Sequence, residues 1–345
     1  MKKIAENRLP ELYQALSAER KLYLPLEEGG VVGYGLYSPE KKTALTAPST
    51  VKSPKELFFP QVEGVVNFQM QGKNIDILPI EMPKEDFVVM GVRACDVRSF
   101  DVLDRVFLSD PVDGYYAARR EHGTIVSLAC DQPQNSCFCE AFGIDAAAPA
   151  GDVRCFIREG VLYWQALTDK GQALTDSLFG LLEEAGPAGQ EQQEAFTAET
   201  KEKLQALPYH GLDLSAFTPD RLGELFHDPK WKKLSQACLG CGSCTFVCPT
   251  CQCYDVRDFD TGHGIQRYRC WDSCMYSDFT MMAHGTPRPT QLEKFRQRFM
   301  HKLVYFPSNN EGMYSCVGCG RCVRKCPIHM HIVKVIKALG GKKDE

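Results

Sequence analysis

The chain has 345 residues, 24% of them charged and 44% hydrophobic, with 17 cysteines and a formal net charge of −4. This length suffices for two domains with separate cores, and no apolar run approaches the roughly 20 residues that span a bilayer, so any membrane link would run through a partner. The start, Met1-Lys-Lys-Ile-Ala-Glu-Asn7, lacks the apolar stretch of a secretory signal, so the cysteines read as metal ligands in a reducing cytoplasm and not as a disulfide framework.

The charge is unevenly spread. Residues 231–345 hold 17 Lys and Arg against 9 Asp and Glu, which leaves 23 against 35 in residues 1–230. A basic half raises nucleic acid as a partner. However, Arg321, Arg324 and Lys325 lie inside a cysteine run, where cations offset the negative charge of thiolate-ligated metal, so no nucleic-acid partner is expected.

The first 184 residues read as an α/β domain. A helix is expected near Arg8–Lys21, followed by short apolar segments at Val65–Met70 and Ile75–Ile80. Between them, Gly29-Gly-Val-Val-Gly-Tyr-Gly35 is glycine-rich without spelling G-x-G-x-x-G, and reads as a hairpin turn. Asp86-Phe-Val-Val-Met-Gly-Val92 has the continuous apolar character of a buried strand. Asp96 can then N-cap a helix with Phe100, Val102, Leu103, Val106 and Phe107 on its apolar face. Thr124–Ala129 is a second buried strand, followed by β-like Val153–Arg158 and Val161–Leu167 and a helix near Gly171–Glu184. This order favours a parallel sheet. Residues 185–212 begin polar and Gly/Pro-punctuated and read as a linker, or in part an exposed helix. From residue 213 to 345 the pattern turns helical, with Pro219–Phe226, Lys230–Ala237 and Thr290–Tyr305. An all-α domain is the expectation for this half.

The chemistry is written in Cys238-Leu-Gly-Cys241-Gly-Ser-Cys244-Thr-Phe-Val-Cys248-Pro249. The same spacing returns as Cys316-Val-Gly-Cys319-Gly-Arg-Cys322-Val-Arg-Lys-Cys326-Pro327. Two copies of C-x2-C-x2-C-x3-C-P are the ligand pattern of a two-cluster ferredoxin, in which the fourth cysteine of each run serves the other cluster. Cluster one is therefore assigned to Cys238, Cys241, Cys244 and Cys326, and cluster two to Cys316, Cys319, Cys322 and Cys248. Zinc is the alternative, but its sites more often use separated ligand pairs. His329 and His331, just past the second run, could donate toward cluster one.

Cys95 and Cys130 each follow an expected buried strand. If the strands are parallel, both emerge at one carboxyl edge, where α/β folds place their sites. Cys137 and Cys139 sit in the next loop, so the four could hold a third 4Fe–4S cluster; zinc or packed free thiols are the alternatives. Cys251, Cys253, Cys270 and Cys274 could form a further metal site or serve structurally. Cys270-x3-Cys274 is half of a sirohaem ligand pattern, but the complementary C-x5-C occurs only within the cluster runs, so the chain is not expected to reduce sulfite itself.

Arg93-Ala-Cys-Asp96, Leu103-Asp104, Arg120-Glu-His122, Cys137-Phe-Cys139, Cys248-Pro-Thr-Cys-Gln-Cys-Tyr254 and Trp271-Asp-Ser-Cys274 accompany the doubled run. Together they resemble one family over about residues 55–335. It comprises the iron–sulfur beta subunits of cytoplasmic nickel–iron sulfhydrogenases and the dicluster electron-transfer subunits of anaerobic sulfite reductases, with related proteins in flavin oxidoreductases that feed heterodisulfide reductase. Lys55-Glu-Leu-Phe-Phe-Pro60 and Gly91-Val-Arg-Ala-Cys-Asp96 look closer to the hydrogenase version. Cys270 stands where the family usually has Arg, and Ala283-His-Gly-Thr-Pro-Arg288 where Gly-Gly-His-x-Phe-Arg is usual.

The resemblance implies a partner that binds FAD and NAD(P)H and a terminal hydrogenase, sulfite reductase or heterodisulfide reductase subunit. It also brings Cys95, Cys130, Cys137 and Cys139 into the family pattern. No P-loop, nucleophile elbow or H-E-x-x-H motif occurs in the sequence. The expected role is a non-catalytic electron-transfer subunit that relays single electrons. A structural or redox-sensing iron–sulfur module is the alternative.

Overall fold

The computed structural model describes residues 1–340; the last five positions of the expected C-terminal unit lie outside the described residues. Ten strands of the first 184 residues are β1 (Lys2–Ala5), β2 (Lys21–Glu28), β3 (Val31–Leu36), β4 (Val62–Gln71), β5 (Asn74–Pro79), β6 (Phe87–Val92), β7 (Gly123–Leu128), β8 (Val153–Arg158), β9 (Val161–Ala166) and β10 (Glu183–Glu184). Eight of them form one sheet in the order β10-β1-β9-β8-β7-β6-β2-β3.

The sheet is mixed, not purely parallel. β2, β6, β7 and β8 run parallel, whereas β2–β3, β8–β9, β1–β9 and β1–β10 are antiparallel. Tight turns explain the antiparallel pairs β2–β3 and β8–β9. Gly29 and Gly30 take positive φ between the first two strands, and Glu159-Gly160 does so between the second two. The hairpin expected at Gly29–Gly35 is therefore formed.

β6 and β7 are buried along their whole length, as their apolar runs require. Side chains alternate between two cores. Val88 and Met90 join Leu12, Leu16 and Trp164 on one face, while Phe87 and Val89 join Phe58, Phe100 and Leu103 on the other. The helix expected near Arg8–Lys21 spans Leu9–Ser17, and that near Gly171–Glu184 spans Asp169–Asp176. After β6 the chain enters a helix at Ala94–Phe107 whose N-cap is Arg93, so Asp96 lies inside the first turn instead of capping it.

The C-terminal half is not all-α, and the expected fold class is corrected on this point. β11 (Tyr254–Asp260) and β12 (Ile265–Trp271) form a hairpin between the two cysteine runs. β12 pairs with β4 from the first half, giving a second sheet ordered β11-β12-β4-β5. Asp255, Asp258 and Asp260 make β11 read as polar, yet it is an edge strand with solvent on most of its length, where charge is tolerated. A buried ion network fastens this sheet: Arg269 of β12 pairs with Glu63 of β4 and with Asp113 at the N-cap of the helix Gly114–His122.

Residues 186–205 form a 20-residue helix. Its buried Phe196 packs 5.3 Å from Phe156, and its Thr200 hydroxyl donates to the carbonyl of Cys130 at 3.2 Å. Around the cysteine runs a separate core gathers Trp231, Phe295, Phe299, Leu303, Ile332 and Ile336. The helix expected at Thr290–Tyr305 appears as Gln291–Met300, capped by a Thr290–Glu293 box and continued by a wider turn at His301–Tyr305.

Candidate metal centres

Cys238, Cys241, Cys244 and Cys326 line one pocket together with Phe295, Phe299 and Met330. These are the four thiols assigned to cluster one. The second run thus delivers its last cysteine to the first run's cavity. Main-chain and amide donors already aim at the sulfurs: Met330 N–H donates to Cys326 Sγ and Gln291 Nε2 to Cys238 Sγ, both at 3.2 Å. Such N–H···S contacts suit thiolate ligands. Cys241 is the one exposed cysteine among the 17, and the hydrogen bond with Ser243 holds its thiol below the ordinary value.

The four thiols assigned to cluster two also converge. Cys248 acts electrostatically on Cys316, Cys319 and Cys322. Burial pushes the Cys319 thiol up to about 12 and that of Cys244 to about 11. Coordination must displace those protons, so metal loading here releases acid.

A second pocket is lined by Cys95, Cys130, Cys137 and Cys139. β6 and β7 are parallel neighbours, and Cys95 and Cys130 leave them at the same edge. Cys319 and Arg321 of the second run line this cavity as well. Gly318 and Gly320, at φ of 58° and 72°, press against the backbone of Phe138 and Ser136, where a Cβ on either would collide with main-chain atoms. Phe138 N–H donates to the Gly318 carbonyl at 2.9 Å. Loop 136–139 is therefore seated on the second ligand run.

The other four cysteines divide. Cys253 and Cys274 are free thiols that act on each other, lowering the first and raising the second, and Cys248 and Cys251 act on each other in the same way. Cys270 stands apart on β12, opposite Asp255 and under the influence of Arg257. Among the described residues, no three His, Cys, Asp or Glu side chains gather closely enough to hold a single metal ion. His329 and His331 do not line the cluster-one cavity, whose wall at that point is Pro327, Ile328 and Met330.

The cavities sit among buried cations that the reading of the sequence did not single out. Arg298 is 3% exposed, lines the first cavity, donates from Nη2 to the Cys244 carbonyl at 3.2 Å and hydrogen-bonds Cys322, while its Nε has no partner. Lys302, equally buried, donates to Thr250 Oγ1 at 2.8 Å and to the Ser315 carbonyl at 3.0 Å. The charges acting on both are chiefly thiols, Cys244, Cys322 and Cys248 for Arg298, and Cys248, Cys251 and Cys316 for Lys302. Neither ion-pairs with a carboxylate among the described residues. Burying unpaired cations is costly, so the donor set fits anionic, thiolate-ligated groups. Arg321, read from sequence as compensating cluster charge, grips Asp96 through Nη1 and Nη2 at 2.5 and 2.7 Å and also acts on the Cys319 and Cys95 thiols. Lys55 lies 3.6 Å over the Trp271 ring and donates to the carbonyls of Cys248 and Cys251. Its place in Lys55-Glu-Leu-Phe-Phe-Pro60, within the resemblance, was the available signal.

Residues 237–330 match the family model described as a 4Fe-4S dicluster domain. The chain is 31% identical over 345 residues to sulfhydrogenase 2 subunit beta of Pyrococcus furiosus, covering 97% of this chain and 96% of that protein. No solved structure matches the chain. The doubled ligand run, its converging thiols and the end-to-end similarity agree on a carrier of 4Fe–4S clusters with an electron-transfer role. The chain belongs to the family of iron–sulfur beta subunits of sulfhydrogenases.

Proposed function

We propose that this chain relays single electrons between two partners, a diaphorase that binds FAD and NAD(P)H and a hydrogenase. The clusters, when bound, supply one-electron carriers at low potential. The observation that carries the reading is the arrangement of three thiol sets in series. Cys244 of the first neighbours Cys322 of the second, and Cys319 of the second neighbours Cys95 and Cys139 of the third. We assign Cys238, Cys241, Cys244 and Cys326 to the first cluster, Cys316, Cys319, Cys322 and Cys248 to the second, and Cys95, Cys130, Cys137 and Cys139 to a third.

The protein's own contribution is burial, N–H···S bonds and fixed cations. Exposed Cys241 and its neighbour Leu239, 67% exposed, make the first site the face that meets a redox partner. Among the described residues no helix is long and apolar enough to cross a membrane. A reducing cytoplasm, where thiols stay unpaired, suits a complex built around this many cysteines. In the assembled complex, Cys241→Ser should abolish electron transfer from NAD(P)H to the terminal acceptor while leaving the diaphorase partner's own dye reduction intact. Unchanged overall turnover would refute the relay.

A further inference from the structure

Thr250 stands two residues past Cys248, and Ser315 immediately before Cys316. Both are buried, and buried Lys302 ties them together. Its Nζ donates to Thr250 Oγ1 at 2.8 Å and to the Ser315 carbonyl at 3.0 Å. Its own carbonyl accepts from Ser315 N–H at 3.2 Å. The wider turn at His301–Tyr305 carries Lys302. This clasp therefore joins the end of the first cysteine run to the start of the second, the two places from which Cys248 and Cys316 come.

Two hydroxyls of the clasp point to an acceptor. That of Thr250 has one proton and two acceptors in reach, the Ser315 carbonyl at 2.7 Å and Cys248 Sγ at 3.3 Å. Because Lys302 already donates to the carbonyl, the Thr250 proton is free to turn to Cys248 when that sulfur is a thiolate. Ser315 Oγ, on a residue only 1% exposed, has no hydrogen-bond partner. A buried hydroxyl left alone is unfavourable, and the sulfur of a group held by Cys316 supplies what it lacks.

The clasp is also one-sided. Neither Thr250, Lys302 nor Ser315 lines the first pocket, whose buried cation is Arg298. Lys55 adds a second buried lysine on the Cys248 side, donating to the Cys248 carbonyl at 3.2 Å. Burial works in the opposite sense. One electron passing from the first cluster to the second makes the second more negative by one charge, with no bond formed or broken. A site among buried thiols resists that charge more than one beside exposed Cys241.

We propose that Thr250, Lys302 and Ser315 are positioning residues that raise the potential of the second cluster, keeping a buried carrier at least as reducible as the exposed first one. The inference rests on the relay reading for the presence of the clusters. It adds that the second step of the relay is not uphill.

The test uses the full chain purified without oxygen, titrated with dithionite and followed by electron paramagnetic resonance, with iron content measured alongside. In the wild-type protein the second-cluster signal should appear at a potential equal to or above that of the first. Thr250→Val and Ser315→Ala should each move the second signal to more negative potential with iron retained. At a fixed potential the ratio of reduced to oxidised second cluster should fall about tenfold, for a lost hydrogen bond to a charged group. Lys302→Met should move it further; if that variant fails to fold, the two hydroxyl variants decide. Gln291→Leu removes the amide donor to Cys238 Sγ, so it should move a different signal and thereby identify the first cluster. A Cys137→Ala background removes any third signal. Unchanged potentials in both hydroxyl variants would overturn the proposal, as would equal shifts of both signals or a wild-type second cluster below the first. Absence of iron–sulfur clusters from the wild-type protein would instead overturn the relay reading.

Discussion

Arg298 reaches both ligand runs at once, bonding the Cys244 carbonyl and the Cys322 thiol from a position only 3% exposed. A fixed cation favours the more negative, reduced form of each neighbouring cluster. Arg298→Gln should therefore shift both midpoint potentials to more negative values, by an amount equivalent to about 1–3 kcal/mol for a lost charge-assisted contact. Arg298→Lys should recover part of that shift, because it keeps the charge but not the forked geometry. Redox titration followed by electron paramagnetic resonance checks this, and unchanged potentials in Arg298→Gln would remove the residue from the account. Asp96 is a contrasting case. Its partner Arg321 is 2% exposed, so Asp96→Asn strands a buried guanidinium and should destabilise the fold by about 3–5 kcal/mol, measurable by chemical denaturation. The doubled run stands out in the sequence because its spacing is local. The Arg321–Asp96 pair joins residues 225 positions apart and leaves no local trace.

At the scale of elements, β11 and β12 show why the C-terminal half was misread. Its Asp-rich strand reads as polar loop, and the force that makes it a strand is pairing through β12 with distant β4. Trp271 secures that contact, donating from Nε1 to the Phe59 carbonyl at 3.1 Å and stacking on the Phe59 ring. Trp271→Ala should cost about 3–5 kcal/mol, the usual range for emptying a large aromatic site, with Lys55 losing its ring as well. The parallel β6–β7 pair, by contrast, was legible from two uninterrupted apolar runs, and with it the common edge for Cys95 and Cys130. What the sequence concealed was the seating of loop 136–139 on Gly318 and Gly320. Gly320→Ala places a methyl against Ser136. It should strip the third site, lowering iron by about 4 per chain for one lost cubane, while leaving cluster one in place. Iron analysis together with the retained cluster-one signal checks that outcome.

Across the whole molecule the thiol sets follow one another from exposed Cys241, through the second run, to the carboxyl edge of the large sheet. The same packing buries groups that resist charging. His301 is pushed down to about 4 by burial and by Lys302 and Arg288. His331, capping the final helix, is also pushed down to about 4 by burial and by Lys334 and His329. Each is neutral in the folded chain at pH values where the unfolded chain already binds a proton. Stability from these two groups is therefore intact above about pH 6.5 and falls as pH drops from there toward about 4. Thermal unfolding of wild-type and His331→Gln proteins between pH 7 and 5 should show a shallower loss in the variant.

The most direct measurement is the iron and acid-labile sulfide content of the protein purified without oxygen. Three cubanes predict about 12 irons and 12 sulfides per chain, with the brown absorbance of iron–sulfur proteins. About 8 of each would confine the clusters to the two ligand runs. A colourless protein containing zinc and no sulfide would contradict the account at its base.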